Sequence, residues 1–162
     1  MSGRIARLPS PPTPASAPSF EVRTVRHGPA DTEVEVWQLP SPASPQLTAP
    51  MRLAGLTGRN LGLVEHRVLK LLASAGLKFN PRAGRKEALI LPEDQALRLG
   101  LLFRALAPMR SRDNIRAVAE GIEAMGREEA AYWLGMAMHR KNPRRVLTAL
   151  RFLLTGPKAH NQ

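Results

Sequence analysis

Nineteen arginines and five lysines make up the 24 basic residues of this chain, set against 13 acidic ones, and the bases are clustered. One cluster lies in 58–91, with seven bases against two acids: Arg59, Arg67, Lys70, Arg82, Arg85 and Lys86 are its candidates for contact with an anion, beside His66 and Lys78. The other is HRKNPRR (139–145), where Arg140, Lys141, Arg144 and Arg145 crowd together and Arg151 extends the run. Guanidinium forks onto phosphate oxygens and stacks on bases better than an ammonium does, so a preference for Arg suits a phosphate-rich partner. Arg144 and Arg145 also fall in the first turn of an expected helix, where the dipole disfavours cations. The placement makes sense if an anion binds there; the plainer reading is a solvated basic face.

Catalytic patterns are missing. The histidines at 27, 66, 139 and 160 stand far apart without metal-ligand spacing, and no G-x-S-x-G elbow is present. There is no cysteine, which excludes a disulfide scaffold, a thiol nucleophile and Cys-ligated zinc. Glu93/Asp94 and Glu128/Glu129 sit at expected helix N-termini, where they complement the dipole. AGLTGRNLG (54–62) is glycine-rich but lacks the Lys-Ser/Thr of a phosphate loop, so Gly55 and Gly58 read as turn and cap. No catalytic residue, metal or cofactor is assigned, and the chain is expected not to be an enzyme; Glu65, His66 and His139 are the residues an enzyme would draw on. Tyr132, Trp133 and Met136, with Trp37 in a separate segment, have the side chains that anchor protein interfaces.

The elements that must position these residues follow from periodicity. MSGRIARLPSPPTPASAPS (1–19) is Pro- and Ser-rich without an apolar h-region, and reads as a disordered tail on a cytoplasmic protein. FEVRTVR (20–26) and EVEVWQL (33–39) alternate in period two around the turn signal Gly28-Pro29, which predicts a hairpin. MRLAGL (51–56) offers a third strand, completing a β-meander over 20–56. From Thr57 the apolar spacing changes to three and four, and a helical domain is expected over 57–156, followed by a flexible C-terminus at 157–162. Helices are expected over 58–75, 92–107, 112–125, 127–140 and 143–155, with a short β-wing between the first two that contains the apolar strand Ala88–Leu91. Helix 92–107 is apolar nearly all round and reads as central. AAYWLGMAM (130–138) admits two readings, a buried hub or a partner-facing surface. No apolar run reaches the ~18–20 residues a membrane span needs.

Two DNA-binding geometries are open. Helices 92–107 and 112–125 could form a helix-turn-helix with Arg112, Asn114 and Arg116 near the start of the second, but Glu120 and Glu123 leave that segment neutral. Helix and wing over 58–91 match a polyanion better. Neither has the interleaved aromatics of a single-strand stacking platform, so contact directed at the backbone is expected rather than base readout.

ALRLGLLFRALAPMRS (96–111) and AVAEGIEAMGREEAAYWLGMAMHRKNPRRVLTALRFLL (117–154) resemble a small uncharacterised bacterial family, similar to accessory components found with helicases and DNA methylases in anti-phage defence. The resemblance is firm in the C-terminal third and loose over 20–91. It implies a nucleic-acid-linked complex, DNA rather than RNA, with a helicase or methylase as the larger partner. It carries no catalytic residue. The combined expectation is an α+β chain, mostly α, that serves as a non-enzymatic accessory subunit contacting nucleic-acid phosphates; the alternative is a protein–protein adaptor without nucleic-acid contact.

Overall fold

The structure is a computed structural model and describes residues 18–29 and 31–156. The expected tail lies outside the described residues up to 17, as does the C-terminus from 157. Three strands, β1 (Ser19–Gly28), β2 (Asp31–Leu39) and β3 (Met51–Thr57), form an antiparallel meander. Its period-two pattern puts Phe20, Val22, Val34, Val36, Ala54 and Leu56 in the core, and the register shift between β2 and β3 buries Leu53 as well. Helix α1 (Gly58–Ala73) follows directly, and Gly58, at φ 62°, makes the left-handed step that turns strand into helix. The helix buries Leu61, Val64, Val68, Leu71 and Leu72 along one stripe.

Strand β4 (Ala88–Leu91) corrects the expected wing. The apolar strand is there, but it pairs with β1, in the order β3-β2-β1-β4, and is the fourth strand of the main sheet. Leu91 stands opposite Phe20 and Leu89 opposite Val22, continuing the inward rows. The Thr24 hydroxyl accepts from the Glu87 amide at 3.0 Å, which fixes where the strand enters.

Helices α2 (Glu93–Leu106), α3 (Arg112–Ala124), α4 (Arg127–His139) and α5 (Pro143–Thr155) complete the chain. Helix α2 packs against all four other helices and against β1, β2 and β3, so it is the hub, as its all-round apolarity predicts. Helix α4 is not: it buries only Ala130, Leu134 and Ala137, and Tyr132 is 59% exposed. Gly100 of α2 lets Leu134 approach; a Cβ there would sit 3.4 Å from the leucine's Cδ2. One buried cluster runs from Phe20 to Leu150, joining sheet and helices in a shared core.

The outer face of the sheet is roofed by charge instead of helices. Glu35 accepts from Arg52 Nε at 2.7 Å and from Trp37 Nε1 at 3.1 Å, and Arg52 also reaches Glu33 at 2.8 Å. Burial pushes the Glu35 carboxyl up, but these donors outweigh it and hold it below the usual carboxylate range. Arg23 lies over the Trp37 ring, 4.3 Å from its centre, and pairs with Glu21 at 2.8 Å.

Candidate nucleic-acid interface

The basic residues separate by what their guanidinium groups already hold. Arg67 donates to Glu120 at 2.9 Å and to Glu123 at 3.2 Å, and its side chain is only 17% exposed. It is a clamp between α1 and α3 whose charge is already held by two carboxylates, at the edge of the groove beside His66. Arg82 is partly neutralised by Glu65 at 2.7 Å, and that pairing also occupies one residue an enzyme would have used. Arg85 and Lys86 are exposed in the loop before β4, where Lys86 lines a shallow cleft with Thr24, Val25 and Arg26. Lys70 stands near the C-terminal end of α1, in a cleft with Ser74, Gln95 and Arg98.

Arg59, Arg110 and Arg151, which have no ion-pair partner among the described residues, gather elsewhere. A groove of about 360 Å³ runs between the α2–α3 turn and α5, with Arg110, Asn114 and Arg151 among its walls. A second, of about 220 Å³, lies at the start of α1 with Thr57, Arg59, Asn60 and Arg110. Both are lined by Met109 and Arg110, so they adjoin. A third groove, between α1 and α3, presents His66, Arg112 and Arg116. No carboxylate lines any of the three among the described residues. Arg59 from one sequence cluster and Arg151 from the other are thus bridged by Arg110, which lies in neither.

Local chemistry holds this arrangement. The Asn60 amide donates to the carbonyls of Leu106 at 2.8 Å and Met109 at 3.1 Å, tying the start of α1 to the end of α2 and fixing the turn that carries Arg110. The Ser111 hydroxyl caps α3 through the Asn114 amide. On α5, positions 144, 148, 151, 152 and 155 share one face by helical spacing while Leu147 and Leu150 face the core. Arg144 and Arg145 are both exposed, at the start of that face. Asn142 caps the helix by accepting from the Arg145 amide at 3.3 Å, and Pro143 has no amide to offer. What α5 presents at its start is therefore guanidinium rather than a cluster of free amides. Arg140 donates to the Met136 sulfur at 3.3 Å, and Lys141 is exposed beside it.

The expected partner residues do not form one surface. Trp37 belongs to the outer face of the sheet, under Arg23, whereas Tyr132, Trp133 and Met136 are on α4 in the helical layer. Tyr132 and Trp133 meet edge to face at 5.6 Å, and Trp133 packs partly against the core. His66 and His139 are exposed on different helices. Among the described residues no group of three or more His, Cys, Asp or Glu is arranged to hold a metal, and no helix is long and apolar enough to cross a membrane.

Arg110, one arginine in a nearly neutral stretch, gives no cluster signal in the sequence; the turn after α2 sets it between α1 and α5. No curated protein and no solved structure matches the chain. The family model described as "Domain of unknown function (DUF7680)" does match, over residues 20–156, which take in the sheet and all five helices, and the chain belongs to that family.

Proposed function

We propose that the protein is a non-enzymatic accessory subunit that contacts nucleic-acid phosphates through its arginine-lined grooves, as part of a larger complex. The observation that carries this reading is the junction at Arg110, where two grooves lined by no carboxylate among the described residues join Arg59 to Arg151. Unpaired guanidinium groups along a connected track suit a polyanion whose charges repeat at regular spacing. Arg144, Arg145, Arg140 and Lys141 extend the track from the start of α5, and Arg112 and Arg116 from the start of α3. DNA as the nucleic acid and a helicase or methylase partner in anti-phage defence complete the proposal on the strength of the resemblance over 96–111 and 117–154, with a cytoplasmic setting from the composition of 1–19.

The test is binding to a labelled oligonucleotide, single- and double-stranded, across a salt series. Affinity should fall steeply as salt rises, because each phosphate contact releases about one counterion. Arg144→Ala/Arg145→Ala should weaken binding alike across sequences. Absence of binding to either strand form at low salt overturns the reading in favour of the adaptor. That second reading rests on the exposed side chains of Tyr132 and Leu153, at 59% and 60%, and predicts co-purification with a protein partner regardless of salt-sensitive binding.

A further inference from the structure

The groove beside Arg110 and Arg151 also holds an aromatic ring. Phe152 is 61% exposed on α5, although that helix buries Leu147 and Leu150 on its other side. Leaving such a ring in water forgoes much of the stabilisation that burial would bring. Its surroundings differ from those of a protein-docking patch. Thr148, Arg151 and Thr155 share its helical face, and Arg110, Ser111 and Asn114 belong to the opposite wall. Arg151 is steadied along the helix by its 3.3 Å contact with the Thr148 hydroxyl. An apolar partner side chain seated here would cover hydroxyl, amide and guanidinium groups without pairing them, at a cost for each. Leu153, one residue on, points about 100° round the helix and does not share the groove.

We propose that this groove takes an unpaired nucleobase stacked on Phe152, with the flanking phosphates on Arg110 and Arg151, so that the ligand is single-stranded nucleic acid rather than duplex. The proposal rests on the phosphate-contact reading and narrows it. An aromatic face between two cations matches the alternation of base and phosphate along a single strand. In a duplex each base face is covered by its neighbours, and a lone phenylalanine in a groove has nothing to stack on. Asn114, Ser111 and Thr148 offer hydrogen bonds to base edges or sugar without the fixed bidentate pairs that read a sequence. The ligand is then a strand with weak sequence preference. Interleaved aromatics are missing from the sequence, but α5 brings one aromatic among the arginines across the groove, and that restores the single-strand reading.

Fluorescence anisotropy with labelled single strands and a duplex of equal length tests this, using deoxy- and ribo-oligonucleotides to identify the sugar. The single strand should bind at least about tenfold tighter than the duplex. Phe152→Ala should weaken single-strand binding by about 5- to 100-fold and leave any duplex binding unchanged, while Phe152→Trp should preserve it. Because the ring is exposed, circular dichroism should show both variants folded. Equal or tighter duplex binding, or Phe152→Ala without effect on the single strand, overturns the proposal while leaving phosphate contact standing. If neither form binds at low salt, both readings fall together.

Discussion

Arg59 and Arg67 stand two turns apart on α1, and what separates them is the company of their charges. Arg59 is exposed in a groove without carboxylates, whereas Arg67 bridges Glu120 and Glu123 at 17% exposure. Arg67→Ala leaves Glu123, whose side chain is 27% exposed, without its cation. It should lower stability by about 1–3 kcal/mol in urea denaturation while changing nucleic-acid affinity less than twofold. A large affinity loss in a stable Arg67→Ala protein would return that residue to the interface. Glu35 supports a prediction about pH. Its carboxyl is held below its ordinary 4.5, so the charged form is favoured by folding. The stability it contributes is present above that value and is lost as pH falls through the lower, folded one. Glu35→Gln should therefore flatten the dependence of the urea midpoint on pH from 4.5 downward, and an unchanged acid limb would show that Arg52 and Trp37 contribute little through this group.

At the scale of elements, the positions of the strands and helices were legible because local chemistry announces them. Period-two alternation marked β1 and β2, Asn142-Pro143 marked the start of α5, and apolar spacing marked α1. What could not be read was who packs against whom. Ala88–Leu91 looks apolar from its own residues, but its partner β1 lies more than 60 residues earlier, so a local wing was as natural as a fourth strand. AAYWLGMAM is apolar on every side, but its inward face is built on Ala130 and Ala137, small residues that let α4 lie close to α2 while Tyr132 turns outward. Composition does not say which face wins. The same closeness recurs between α3 and α5, where a Cβ on Gly121 would come within 2.5 Å of Leu154 Cδ2 and 3.3 Å of its Cβ. Gly121→Ala should lower stability by about 1–3 kcal/mol, since Leu154 Cδ2 must swing away and its Cγ and Cβ, with the α5 backbone that carries them, must give by a few tenths of an ångström. It should also weaken nucleic-acid binding, because α5 carries Arg151. Gly135→Ala, where nothing lies within 4 Å, is the control that should be neutral or stabilising.

For the whole molecule, the question is whether +11 is one property or several. The sequence showed two excesses and could not place them relative to each other, because their separation depends on how α1 and α5 pack around α2. In the fold one residue from each side, Arg59 and Arg151, reaches the grooves at Arg110, while Arg85 and Lys86 remain on the loop before β4, outside those grooves. A polyanion bound along that track should therefore respond to position more than to net charge. Arg110→Glu and Arg85→Glu change the total by the same amount, so any diffuse attraction to the chain as a whole falls equally in both. If binding follows the track, Arg110→Glu should cost tenfold or more at low salt and make the slope of log affinity against log salt shallower by about 0.7–0.9 for each phosphate no longer neutralised. Arg85→Glu should change affinity less than threefold and leave that slope alone. Arg59→Ala and Arg151→Ala should each fall between, and combining either with Arg110→Ala should give less than the product of the separate losses, since a strand already released at the junction has less binding left to forfeit. Equal losses from Arg110→Glu and Arg85→Glu would mean that the grooves have no special role and that the charge acts as a field.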